Sequence, residues 1–104
     1  MVRLIDQARR VLREDGLALF ETPNPRNLIV GACNFYADPT HVRQVFPELL
    51  EFVMQSRGFR SVELRYLNPH PPEQRLSSDE APVLAGQLND LLSCARDFAV
   101  VARK

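Results

Sequence analysis

The stretch ETPNPRNLIVGACNFYADPTH, residues 21–41, decides how this chain is read. It leaves a short apolar run at 17–20 and is dense in side chains that form hydrogen bonds. A connection of that length is as a rule either functional or disordered. Leu28, Ile29, Val30, Phe35 and Tyr36 argue against disorder, because disordered segments lack the apolar residues that offset the entropy of ordering. An ordered loop carrying function is the expectation.

On its N-terminal side, residues 2–14 place Leu4, Ile5, Ala8, Val11 and Leu12 at the spacing of one helical face, with Arg3, Asp6, Arg9, Arg10 and Arg13 largely opposite. Gly16 is expected to close this helix in a positive-φ conformation, and 17–20 to form an apolar strand covered on both faces. Thr22-Pro23-Asn24-Pro25 should end regular structure, since proline interrupts both helix and ladder hydrogen bonds.

On the C-terminal side, Asp38 followed by Pro39 reads as the start of a new helix, with Pro47 separating that piece from the next. Leu49, Leu50, Phe52 and Val53 then give a helical face, Gly58 a C-terminal cap, and Phe59 a side chain that packs back. Residues 61–67 alternate, with Val62, Leu64 and Tyr66 on one side, as a strand at a sheet edge does. The polar segment 68–80 predicts a surface loop. A helix is expected over 81–93 with Leu84, Leu88, Leu91 and Leu92 on a common side, and a central strand at 98–102.

The chain of 104 residues has room for a single domain, 1–104, and its 45% hydrophobic and 25% charged composition is that of a globular protein. With 13 basic and 13 acidic side chains the formal charge is zero, which removes the field that would attract nucleic acid or an anionic membrane. Cys33 and Cys94 lack ligand spacing, so no zinc site is expected; two reduced thiols and a single disulfide both remain open. The sequence shows no signal segment and no long apolar run, and a cytoplasmic location is the expectation.

ARRVLREDGLALFETPNP (8–25), VGACNFYADPTH (30–41), PELLEFVMQSRGF (47–59) and DFAVVARK (97–104) together resemble the second half of class I S-adenosylmethionine-dependent methyltransferases, especially the bacterial branch associated with surface polysaccharides. The resemblance implies an α/β, partial Rossmann-like fold. It would have a three-stranded mixed sheet with flanking helices, the last strand inserted antiparallel between the other two. It also implies S-adenosylmethionine as cofactor of the complete enzyme and a small-molecule or glycan acceptor. The glycine-rich turn and ribose-binding acid of such enzymes have no counterpart, because Gly16, Gly31, Gly58 and Gly86 are isolated from one another. The chain alone is therefore expected to bind no cofactor and to be inactive. Its partner would be a missing N-terminal half or a second copy; the alternative function is a truncated interaction module.

Methyl transfer to a hydroxyl needs alignment of donor and acceptor and can need a base. His41 is the candidate catalytic base by side-chain chemistry. Glu21 and Asn24 follow the first strand at its C-terminal end, where open α/β sheets place ligands. Asn34, Tyr36 and Asp38 offer hydroxyl-binding groups and an aromatic face for an acceptor, although Asp38 as a helix N-cap and Tyr36 as partial core account for them equally well. His70, among prolines, reads as an exposed side chain.

Overall fold

The computed structural model describes residues 1–104. Helix α1 spans Val2–Val11, shorter than its apolar spacing suggested, and Ile5 is its one fully buried residue. The tight turn after it puts Asp15, not Gly16, at positive φ (61°). Gly16 is required for a different reason: a Cβ there would lie 2.8 Å from the Arg13 carbonyl oxygen.

Strand β1 runs Leu17–Pro23, past the predicted stop, since Pro23 at the strand end still sits opposite Asp97. Strand β2 spans Arg60–Leu67 and β3 spans Asp97–Arg103. The sheet order is β1-β3-β2, and both ladders are antiparallel. The predicted order holds. The sheet is antiparallel throughout and not mixed as expected: β1 and β2 run the same way, but each pairs only with the opposed β3 between them.

Helix α3, Pro47–Ser56, covers one sheet face together with α1. Pro47 is its first residue and opens it, and Phe46 before it is extended (ψ 144°), as a residue preceding proline should be. The helix ends in a Schellman motif: Gly58 at φ 89° donates to the Gln55 carbonyl, and Phe59 donates to the Met54 carbonyl. Phe59 turns inward and is buried, as expected. The buried side of α3 is Leu50, Val53 and Met54, whereas Leu49 and Phe52 are exposed, so the predicted face is shifted by part of a turn.

These residues join Ile5, Ala18, Phe98, Val100 and Ala102 in one core, flanked by Leu12, Phe20, Val45, Val62 and Leu64. The other face of the sheet is different. Leu17 and Leu19, which alternate with Ala18 and Phe20, are 56% and 63% exposed, so β1 is covered on one face only. This corrects the two-sided burial read from its unbroken apolar run.

The polar segment after β2 is a loop with one 3₁₀ turn, Pro72–Gln74, and leads to α4, Pro82–Leu92. Ala85, Leu88 and Leu92 form the inward side of α4; Leu84 and Leu91, expected there, are exposed. His70 is half-buried instead of free, and its backbone N–H donates to the Ser93 carbonyl.

The molecule extends 55 × 30 × 20 Å with a radius of gyration of 16.4 Å, against about 13 Å for a compact domain of this length. Its accessible surface is 7126 Å², against about 5,950 Å² for a folded monomer of this mass. No helix is long and apolar enough to cross a membrane.

Candidate functional site

The segment after β1 is helical over 28–37, not a loop: a π-helical stretch, Val30–Asn34, runs into the α-turn α2, Phe35–Ala37. π-Helical geometry is rare and is found disproportionately at functional sites. Two buried asparagines hold this segment against the α4–β3 connection. Asn24 Nδ2 donates to the Ala95 carbonyl at 2.8 Å, and its Oδ1 accepts from the Arg26 backbone. Asn27 Nδ2 donates to the Cys94 carbonyl, while its Oδ1 accepts the N–H groups of Ile29 and Val30 and so caps the helical segment. Asn24 is therefore an anchor and is not free to meet an acceptor, as its sequence position had suggested.

Gly31 fits where no other residue would, because a Cβ would lie 2.7 Å from the Pro25 carbonyl oxygen. Its own carbonyl accepts from Gln44 Nε2, which ties the segment to the run before α3. Arg26 reaches Glu48 at 2.6 Å. The Glu48 carboxyl is held below its ordinary range, mainly by its own backbone N–H in the first turn of α3 and then by Arg26.

No helix starts at Asp38. Its Oδ1 accepts from both the N–H and the hydroxyl of Thr40, which closes a turn in place of capping a helix. The hydroxyl and N–H of Thr40, with a smaller contribution from His41, hold the Asp38 carboxyl below its ordinary range. The His41 ring stacks on Phe35 with centroids 4.7 Å apart, and its Nδ1 lies 3.0 Å from the Phe35 carbonyl oxygen. A carbonyl only accepts, so Nδ1 carries a hydrogen, and Nε2 lies 3.9 Å from Asp38 Oδ2. Tyr36 packs edge-on against Phe35 but is 62% exposed, so it is not core.

The remaining candidates divide between two cavities. A groove of about 660 Å³ runs between α1, β1 and residues 40–50, with Leu4, Phe20, Val42 and Leu49 among its apolar walls and Glu21, Thr40 and Arg43 among its polar ones. A second cavity, of about 380 Å³, is lined by Pro23, Val30, Asn34, Phe35, Asn68, Arg96 and Asp97. His41, Tyr36 and Asp38 line neither. The fold therefore brings Asp38 and His41 together and separates Glu21 from Asn34. Asn27, Asn68, Arg96 and Asp97 were missed; only Asn27 had a local signal, an asparagine directly before the apolar run Leu28–Val30.

Both cysteines are free thiols, and no group of three or more His, Cys, Asp or Glu side chains is placed to hold a metal. The glycines do not form a cradle for a nucleotide cofactor either. Gly16 and Gly31 face backbone carbonyls, Gly58 terminates α3, and Gly86 lies within α4.

No family model and no curated protein matches the chain. Among solved structures, it is similar to a SAM-dependent methyltransferase from Archaeoglobus fulgidus, with a TM-score of 0.85 and 28% identity over 99% of this chain and 51% of that one. The chain spans about half the length of that methyltransferase. By fold it is a methyltransferase-like module, similar over almost all its residues to part of an S-adenosylmethionine-dependent enzyme.

Proposed function

We propose that the chain is the acceptor-side, C-terminal half of an S-adenosylmethionine-dependent methyltransferase that works once a cofactor-binding half lies beside β1, acting on a hydroxyl of a small or glycan acceptor. The observation that carries this reading is the match over 99% of the chain to only 51% of a SAM-dependent methyltransferase. The surplus surface supports it: the chain exposes about 1,200 Å² more than a compact monomer would, more than the roughly 800 Å² per partner of a standard interface. S-adenosylmethionine, held by the other half, would supply the sulfonium methyl group. This chain would contribute the groove bearing Glu21 and Thr40 and, next to Thr40 but outside the groove lining, the His41 imidazole as proton acceptor.

The test joins this chain to the part of the Archaeoglobus fulgidus enzyme that it does not cover. Calorimetry should show saturable S-adenosylmethionine binding by the folded chimera and none by the chain alone. Saturable binding by the isolated chain would require a site built from residues 21–41 and would sink the half-enzyme reading, as would a folded chimera that binds nothing. The second reading, a non-catalytic module that pairs with its own copy, is favoured by the free edge of β1 with Leu17 and Leu19 exposed.

A further inference from the structure

The cavity walled by Asn34, Asn68, Arg96 and Asp97 lies where the carboxyl ends of β1 and β2 flank the start of β3. In open α/β sheets the crevice outside strand carboxyl ends is where ligands bind. Here it forms because β3 enters antiparallel between two strands that both end at this level. Pro23, Val30 and Phe35 give it an apolar side.

Three of its polar residues, Asn68, Arg96 and Asp97, are held before any ligand arrives. The Arg96 carbonyl accepts the Asn24 N–H at 2.8 Å, and the Arg96 N–H donates to the Asn68 carbonyl. Arg96 Nε donates to that same carbonyl at 2.9 Å. Asn68 stands at φ 55° and passes Nδ2–H to Asp97 Oδ2 at 2.8 Å. Asp97 is fixed as the first residue of β3, opposite both Pro23 and Leu67. Groups already fixed in position lose little freedom on binding.

What these contacts leave over is specific in kind. The two Nη groups of Arg96, the Oδ1 of Asp97 and the amide of Asn34 have no partner in the chain. Arg96 and Asp97 make no ion pair with each other or with another residue, as is true of most arginines of the chain. Arg96 and Asp97 thus line one open surface cavity without being paired to each other. A carboxylate fits a guanidinium fork through two parallel hydrogen bonds, and an ammonium fits a carboxylate oxygen.

We propose that this cavity binds a small zwitterion, an α-amino acid or a molecule carrying that group, with its carboxylate on Arg96 and its ammonium on Asp97. The site does not depend on the methyltransferase reading, because it needs neither a methyl donor nor a second half.

Titration of the isotope-labelled full chain by NMR tests it, with L-alanine as zwitterion, acetate and ethylamine as single-charge probes, and glycerol as a neutral polyol. L-Alanine should give saturable shifts confined to Asn34, Asn68, Arg96 and Asp97, with acetate and ethylamine at least ~10-fold weaker. Arg96→Gln and Asp97→Asn should each weaken L-alanine at least ~10-fold with the remaining spectrum unchanged, since both substitutes keep a group that can bond to Asn68. Acetate binding as well as L-alanine would overturn the proposal in favour of a simple anion site, and glycerol saturating the same residues would make it a hydroxyl site. The absence of saturation by any probe would remove the site altogether.

Discussion

β2 and β1 occupy the two edges of one sheet, yet β2 is guarded along its length whereas β1 has only Glu21 and Pro23, at its end, to keep it from pairing. Ser61 sits at φ 50° beside a register shift between Arg60 and Glu63, a bulge that twists the edge. Glu63 and Arg65 then form a bidentate pair on its surface. β1 has seven residues without a bulge, and two leucines exposed beside a free row of backbone groups. Leu4 and Val11 of α1 add further exposed apolar surface. Natural proteins cover or charge such an edge, so β2 is a guarded boundary and β1 is the more open of the two.

The largest effect should come from the anchor that holds the segment following β1. Asn27→Ala removes the helix cap and the bonds to the α4–β3 connection from a fully buried position, and should lower stability by about 2–4 kcal/mol. Chemical denaturation would measure this; a loss no greater than that of a surface substitution would show that the segment holds itself in place.

Next comes association. The purified chain should self-associate in a concentration-dependent way by sedimentation, and Leu19→Lys should weaken that association at least ~10-fold by placing a charge on the edge. A well-folded monomer at high concentration would end the comparison, because β1 would then be a stable edge as it stands. Amide exchange sharpens it further: Val100 and Ala102 at the sheet centre should be the most protected, with the amides of β2 exchanging faster. Greater protection of Val62–Tyr66 than of Val100 would contradict the observed strand order.

The smallest effect belongs to the guarded edge. The Arg65 hydrogen bonds and charge hold the Glu63 carboxyl below its ordinary 4.5. A carboxyl whose pKa is lowered on folding favours the folded state above its unfolded pKa, and that contribution disappears as pH falls through the lowered value. Glu63→Gln should therefore lower stability slightly near neutrality and leave it unchanged at acid pH, which flattens the acid side of the profile. An equal change at pH 7 and pH 3 would assign the effect to packing.

What the sequence disclosed follows the range of the forces involved. The Gly58 cap and the central place of 98–102 depend on local geometry or on an unbroken apolar run, and both were legible. Leu17 and Leu19 read as doubly buried because an unbroken apolar run does not reveal which of its alternating faces is left uncovered. Asp38-Pro39 misled for another reason: one carboxylate geometry serves a helix cap and a tight turn alike, and the extended Phe46 ahead of Pro47 left no helix to cap. Asn68 and Arg96 meet only through the tertiary fold, with α4 between them, so spacing carried no trace of their cavity.

The central position of β3 also governs when the sheet can exist during synthesis. β1 and β2 make no ladder with each other, and the strand that joins them is the last to emerge. Until Asp97–Arg103 leaves the ribosome, both earlier strands have nothing to pair with and their apolar faces depend on α1 and α3 alone. A nascent chain lacking β3 should thus hold its helices beside two loose extended segments, open to chaperones. Addition of the final strand would close the sheet in a single late step.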